Sequence, residues 1–164
     1  WINVNTMATK KLAIEGNQNK TIEELINYDY IKTEYKIHNS RIDILLYSGN
    51  SDKVEDADKK CFVEVKNVTM LGDHKAALFP DAVSERGQKH LKDLISLKSD
   101  GHHAAMLFII GRQDVNHFSP ATTIDPKYSE LLKVAYEKGV QILPYQCKLS
   151  ESEIIVSKKL PFHF

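Results

Sequence analysis

A chain of 164 residues can bury one substantial core and is too short for two ordinary domains. Its 42% hydrophobic and 27% charged content is that of a globular protein rather than a disordered or membrane one. The 22 basic and 22 acidic side chains cancel, so any binding of nucleic acid must come from a local patch. The longest apolar run, Ala104 to Ile110, falls far short of the roughly 18 to 20 residues of a membrane-spanning helix. Cys61 and Cys147 stand alone without metal-ligand spacing, which predicts two buried thiols and an intracellular, reducing setting. The sequence opens Trp1-Ile2-Asn3 with no initiator methionine and no signal-like segment, so a missing upstream part is expected.

Asn3 to Asn17 has a helical pattern around Met7, Lys11, Leu12 and Ile14, closed by Gly16-Asn17. Thr21-Ile22-Glu23-Glu24 has the form of a capping box and predicts a short helix to about Asn27. Tyr30 to Ile37 and Ile42 to Tyr47 flank the turn-forming His38-Asn39-Ser40-Arg41, which predicts a hairpin. Gly49 to Lys60 is polar and without apolar period, a solvated loop leading into a strand from Cys61 to Met70. Asp81 is positioned to cap a helix running to about Lys98, with Gly87, Leu91, Leu94, Ile95 and Lys98 on one face and Gly87 closest to a sheet. Ala104 to Ile110 reads as a buried strand, Pro126 to Lys138 as a helix ended by Gly139, and Val140 to Cys147 and Glu153 to Val156 as further strands. Helices interspersed among strands in this order predict an α/β fold with a mixed sheet.

The chemistry concentrates in Phe62-Val63-Glu64-Val65-Lys66 and, 21 positions before Glu64, Asp43. Side chains two apart on a strand share a face, so Glu64 and Lys66 lie side by side while Val63 and Val65 face away. Two carboxylates offer the hard oxygen ligands that suit Mg²⁺ or Mn²⁺, with the Val65 carbonyl as a further ligand. A lysine beside them can orient an attacking water and counter phosphate charge. An isolated E-x-K on a strand is more often a solvated face with a weak ion pair. Asp43, set between Ile42 and Ile44, calls for either a wet face or a partner.

Three stretches carry a resemblance: Ser40-Arg41-Ile42-Asp43, Val63-Glu64-Val65-Lys66-Asn67-Val68-Thr69, and Phe79-Pro80-Asp81-Ala82-Val83-Ser84-Glu85-Arg86-Gly87-Gln88-Lys89-His90-Leu91. Together they closely resemble the sugar fermentation stimulation protein A family, and the likeness extends from Trp1 to Thr6 through the region of Asp125-Pro126. In that family a small N-terminal OB-fold domain precedes a PD-(D/E)xK nuclease-like domain, and the family is described as DNA-binding. The resemblance implies that residues 1–164 form the nuclease-like domain alone: a restriction-endonuclease-like mixed central sheet flanked by helices, without the OB-fold counterpart. Asp43 matches the acid of the first motif, and Glu64 and Lys66 match the E-x-K. Asn67 stands where the family more often has serine, and the acidic loop Ser51 to Lys60 looks longer than usual.

The expected site is then catalytic Asp43, Glu64 and Lys66, with Asp43, Glu64, the Val65 carbonyl and Glu34 as metal ligands for Mg²⁺ or Mn²⁺. Arg41, Gln88 and Lys89 are the candidates for contact with nucleic acid, expected to be DNA. For each of these residues an ordinary surface role is the competing reading. His74, His90, His102 and His103 lack zinc-site spacing and are assigned no metal. Two functions stay open: a metal-dependent nuclease, or a DNA-binding regulator linked to sugar metabolism that uses the same fold without cutting.

Overall fold

The computed structural model describes residues 6–149 and 152–164. Helix α1 spans Thr6–Gln18; the expected start of this helix at Asn3 lies outside the described residues. A hairpin follows, β1 (Tyr30–Ile37) and β2 (Ser40–Gly49), then β3 (Ala57–Val68), the short β4 (Met70–Leu71) and β5 (Ala76–Phe79). Helix α2 (Glu85–Ser99) leads to β6 (His103–Ile110) and β7 (His117–Pro120), and α3 (Pro126–Glu137) to β8 (Gln141–Leu149) and β9 (Ile154–Lys159). The main sheet has the order β1-β2-β3-β6-β8-β9, and β4, β5 and β7 make a small second sheet. β3, β6 and β8 run parallel, with antiparallel strands at both margins, so the sheet is mixed as expected.

Parallel central strands must be covered on both faces, which is why β6 is apolar throughout from Ala104 to Ile110. Its even-numbered residues join Leu91, Leu94, Tyr128, Leu132 and Ala135 in a core under α2 and α3. The odd-numbered Ala105, Leu107 and Ile109 join Leu12, Ala13, Val63 and Val65 in a second core on the other face, under α1. In β3, therefore, Val63 and Val65 face the α1 side. Glu64 and Lys66 face the α2 side.

Several boundaries differ from those expected. The capping box does not form: Thr21 Oγ1 bonds Asn19 Oδ1, and only a 3₁₀ turn over Glu23–Leu25 follows. The polar loop after Gly49 is shorter, because β3 begins at Ala57 and a 3₁₀ turn occupies Val54–Asp56. Ser84, not Asp81, caps α2, its Oγ accepting the Gly87 N–H at 2.9 Å. Gly87 is small for a different contact from the sheet approach expected: a Cβ there would stand 2.6 Å from Ser84 Oγ and 3.1 Å from Tyr128 Cε2, so the residue sits between the cap and α3. Strand β9 runs on to Lys159, and the β4-β5-β7 sheet has too few residues per strand to show a period. No helix among the described residues is long and apolar enough to cross a membrane.

Candidate active site

β1 and β2 both change faces at one level. Ile42 belongs to the core under α2 and α3 but Ile44 to the core under α1, although a regular strand would put residues two apart on one face. Opposite, Ile31 packs on the α1 side and Tyr35 on the other, and Glu34 between them has φ of 52°, the left-handed region rare outside glycine. Asp43 lies at the switch in β2, and the β2–β3 pairing stops beside it at Ile44–Val63.

Where the ladder ends, side chains take over its hydrogen bonds. The Asp43 carboxylate accepts the Val65 N–H at 2.9 Å, and the Glu64 carboxylate accepts the Asp43 N–H at 3.2 Å. The parting strands open a cleft of about 290 Å³ lined by Asp43, Glu64, Val65, Lys66, Lys10, Arg86 and His90, with Thr9 and Asn67. The expected triad thus converges, on strands that the E-x-K and hairpin patterns position.

Burial and the neighbouring Asp43, which shares a side-chain hydrogen bond with it, push Glu64 up to about 8. Burial also holds Lys66 below its ordinary value, against the pull of Glu64 and Asp43. His90, on α2, reaches the same point: its Nδ1 is 3.1 Å from Lys66 Nζ and 3.2 Å from Glu64 Oε2. Burial and the charges of Lys66 and Arg86 drive His90 down to about 4, so its imidazole is neutral near pH 7. A neutral ring can serve one of these neighbours from Nδ1 at a time, accepting from Lys66 or donating to Glu64.

The remaining expected residues are placed differently. The carboxylate of Glu34, expected as a ligand, bonds Lys10 Nζ, which also stands 3.0 Å from Asp43 Oδ1. Burial acts downward on Lys10, but these two carboxylates outweigh it and its pKa is raised. Gln88 is not among the cleft-lining residues: its amide donates to the buried Asp125 at 3.0 and 3.1 Å, because Asp125 also caps α3 through the Tyr128 N–H and accepts the Ser84 N–H. Gln88 therefore ties α2 to α3. Arg41, opposite Lys36 in the hairpin, and Lys89 are exposed and do not line the cleft either. Lys10, Arg86 and His90 do line it and were not selected from the sequence.

Two carboxylates and the Val65 carbonyl edge form a hard donor set, and the Lys10 ammonium against Asp43 marks a place that accepts positive charge. Oxygens of this kind are the ligands that a divalent ion such as Mg²⁺ takes. Among the described residues no group of three or more His, Cys, Asp or Glu is placed to hold a metal ion, so protein ligands would number two carboxylates and a carbonyl at most.

Fold and site together define an α/β protein with a mixed sheet, three α-helices among the described residues, and a buried acid–lysine cleft where two strands part. The chain belongs to the sugar fermentation stimulation protein family: the profile described as "Sugar fermentation stimulation protein RE domain" matches residues 7–153. A sugar fermentation stimulation protein homologue from Geotalea daltonii is 41% identical over 162 residues, 98% of this chain and 66% of the relative. One from Aliivibrio fischeri (strain ES114) is 44% identical over 161 residues, 97% of this chain and 66% of the relative. The solved structure of Pyrococcus furiosus SfsA in complex with Ca²⁺ aligns at a TM-score of 0.84 and 32% identity, over 98% of this chain and 66% of that one. The chain therefore spans about two thirds (66%) of the length of the relatives it matches.

Proposed function

We propose that this chain is a restriction-endonuclease-like domain that binds nucleic acid, DNA foremost, and hydrolyses phosphodiesters with Mg²⁺ or Mn²⁺. The observation that carries the reading is the reciprocal tie between Asp43 and Glu64 at the parting of β2 and β3, with Lys66 on the same face of β3. The Ca²⁺ held by the Pyrococcus furiosus relative supports a hard, oxygen-seeking cation in this family. The choice of Mg²⁺ or Mn²⁺ rests on the two-carboxylate donor set.

Asp43, Glu64 and the Val65 carbonyl would hold the ion, which supplies charge neutralisation at the phosphoryl oxygens and a more acidic water. Lys66, buried and below its ordinary pKa, orients the attacking water and takes its proton at Nζ when it enters as the neutral amine. The water oxygen forms the new P–O bond as the bond to the leaving sugar oxygen breaks. His90 fixes the position of Lys66 Nζ. Arg86, exposed at the mouth, meets the incoming phosphate.

The test is incubation with single- and double-stranded DNA and RNA in Mg²⁺, Mn²⁺ or chelator, alongside Lys66→Ala. Cleavage is expected only with metal, and about 10²–10⁴-fold slower in the variant. Cutting in chelator, or cutting at an undiminished rate in the variant, sinks the mechanism. Salt-sensitive binding without cutting in any metal would instead identify a non-catalytic DNA-binding regulator.

A further inference from the structure

We propose that Lys10 stands in for a second metal ion, so that the cleft takes one divalent cation rather than two. The inference rests on the metal-binding reading above. Lys10 comes from α1, across the sheet from α2, and its ammonium joins the Glu34 carboxylate to Asp43 Oδ1 at 3.0 Å. Glu34 is not simply a surface glutamate caught by a passing lysine. Its φ of 52° lies in the middle of β1, directly across from Asp43, where both strands change faces. A left-handed glutamate inside a strand is strained, and the pairing on either side holds it there.

The consequence is a division of Asp43 between two partners. Its Oδ2 accepts the Val65 N–H and lies toward Glu64, whereas its Oδ1 is spanned by Lys10 toward Glu34. A first divalent ion has the Asp43–Glu64–Val65 side, and the Glu34 side is filled by an ammonium that belongs to the chain. Removing the ammonium leaves Glu34 and Asp43 facing each other with nothing between, the arrangement in which a bridging aspartate holds two ions about 3.5–4 Å apart. Lys10 is thus a positioning residue that sets the ion count.

The experiment counts ions rather than turnover: Mn²⁺ is titrated calorimetrically and by electron paramagnetic resonance into wild type, Lys10→Met, Lys10→Gln and the double variant Lys10→Met/Glu34→Gln. Circular dichroism verifies folding, and Lys10→Gln decides if Lys10→Met is unfolded. One Mn²⁺ is expected in wild type, two in the Lys10 single variants with the broadened signal of a coupled pair, and one again in the double variant. One ion in the single variants, two in wild type, or two persisting in the double variant would each overturn the proposal. Failure of wild type to bind any Mn²⁺ would overturn the metal reading itself, and so is distinguishable from a failure of the role given to Lys10.

Discussion

Replacing Glu64 by glutamine tests the electrostatics of the cleft without emptying it. In the metal-free protein Glu64 is raised from near 4.5 to about 8 by burial first and Asp43 second. Because the folded value lies above the unfolded one, the folded protein binds more protons than the unfolded chain between these limits. Stability attached to this group is therefore complete below about pH 4.5 and is lost as pH rises through 8. At roughly 1.4 kcal/mol per pH unit, the interval sets an upper figure of about 5 kcal/mol lost by pH 9. Glutamine keeps the shape and the acceptor for the Asp43 N–H but cannot ionise. Denaturant unfolding in chelator from pH 5 to 9 should show Glu64→Gln close to wild type at pH 5 and progressively more stable than it above pH 6, levelling off past pH 8. A stability difference that does not vary with pH would refute the reasoning.

Asp125→Ala removes one acceptor shared by the Ser84 and Tyr128 N–H groups and the Gln88 amide in a buried setting, so chemical denaturation should register a loss of about 3–5 kcal/mol, with Asp125→Asn costing less. Gln88→Ala should cost about 1–3 kcal/mol of stability and leave Mn²⁺ affinity unchanged, since its amide serves Asp125 and not the cleft; a weakened metal site without a stability loss would return Gln88 to the active site. The Tyr128 hydroxyl is buried with no hydrogen-bond partner among the described residues, so Tyr128→Phe is expected to raise the unfolding midpoint, by about 1 kcal/mol in free energy.

The alternation in β3 was enough to read Glu64 and Lys66 as neighbours on one face, because period-two patterning survives wherever a strand has an apolar back. The extents of β6 and α3 were legible for the same reason, each having a buried stripe and a stop, at Gly111 and Gly139 respectively. What period could not show is a break in period. The face switch at Glu34 and Asp43 has no residue signature, since glutamate is not a residue that announces a left-handed φ. Lys10 lies 33 positions before Asp43 on a helix of another layer, and only the packing of α1 brings the two together. The bond from Gln88 to Asp125, at the start of α3, was not legible, because a helix flank predicts direction but not partner. His90 was set aside for want of zinc-like spacing, a criterion that does not reach a histidine buried against a lysine and a glutamate.

One cation held between Asp43 and Glu64 is the centre of the proposed chemistry. The most direct measurement is anomalous diffraction from crystals of the wild-type protein soaked in Mn²⁺. A single peak is predicted within about 2.0–2.3 Å of an Asp43 oxygen, a Glu64 oxygen and the Val65 carbonyl, with Lys66 Nζ beside it but not bonded to it. A cleft without a peak at saturating Mn²⁺, or a peak on other residues, would contradict the account.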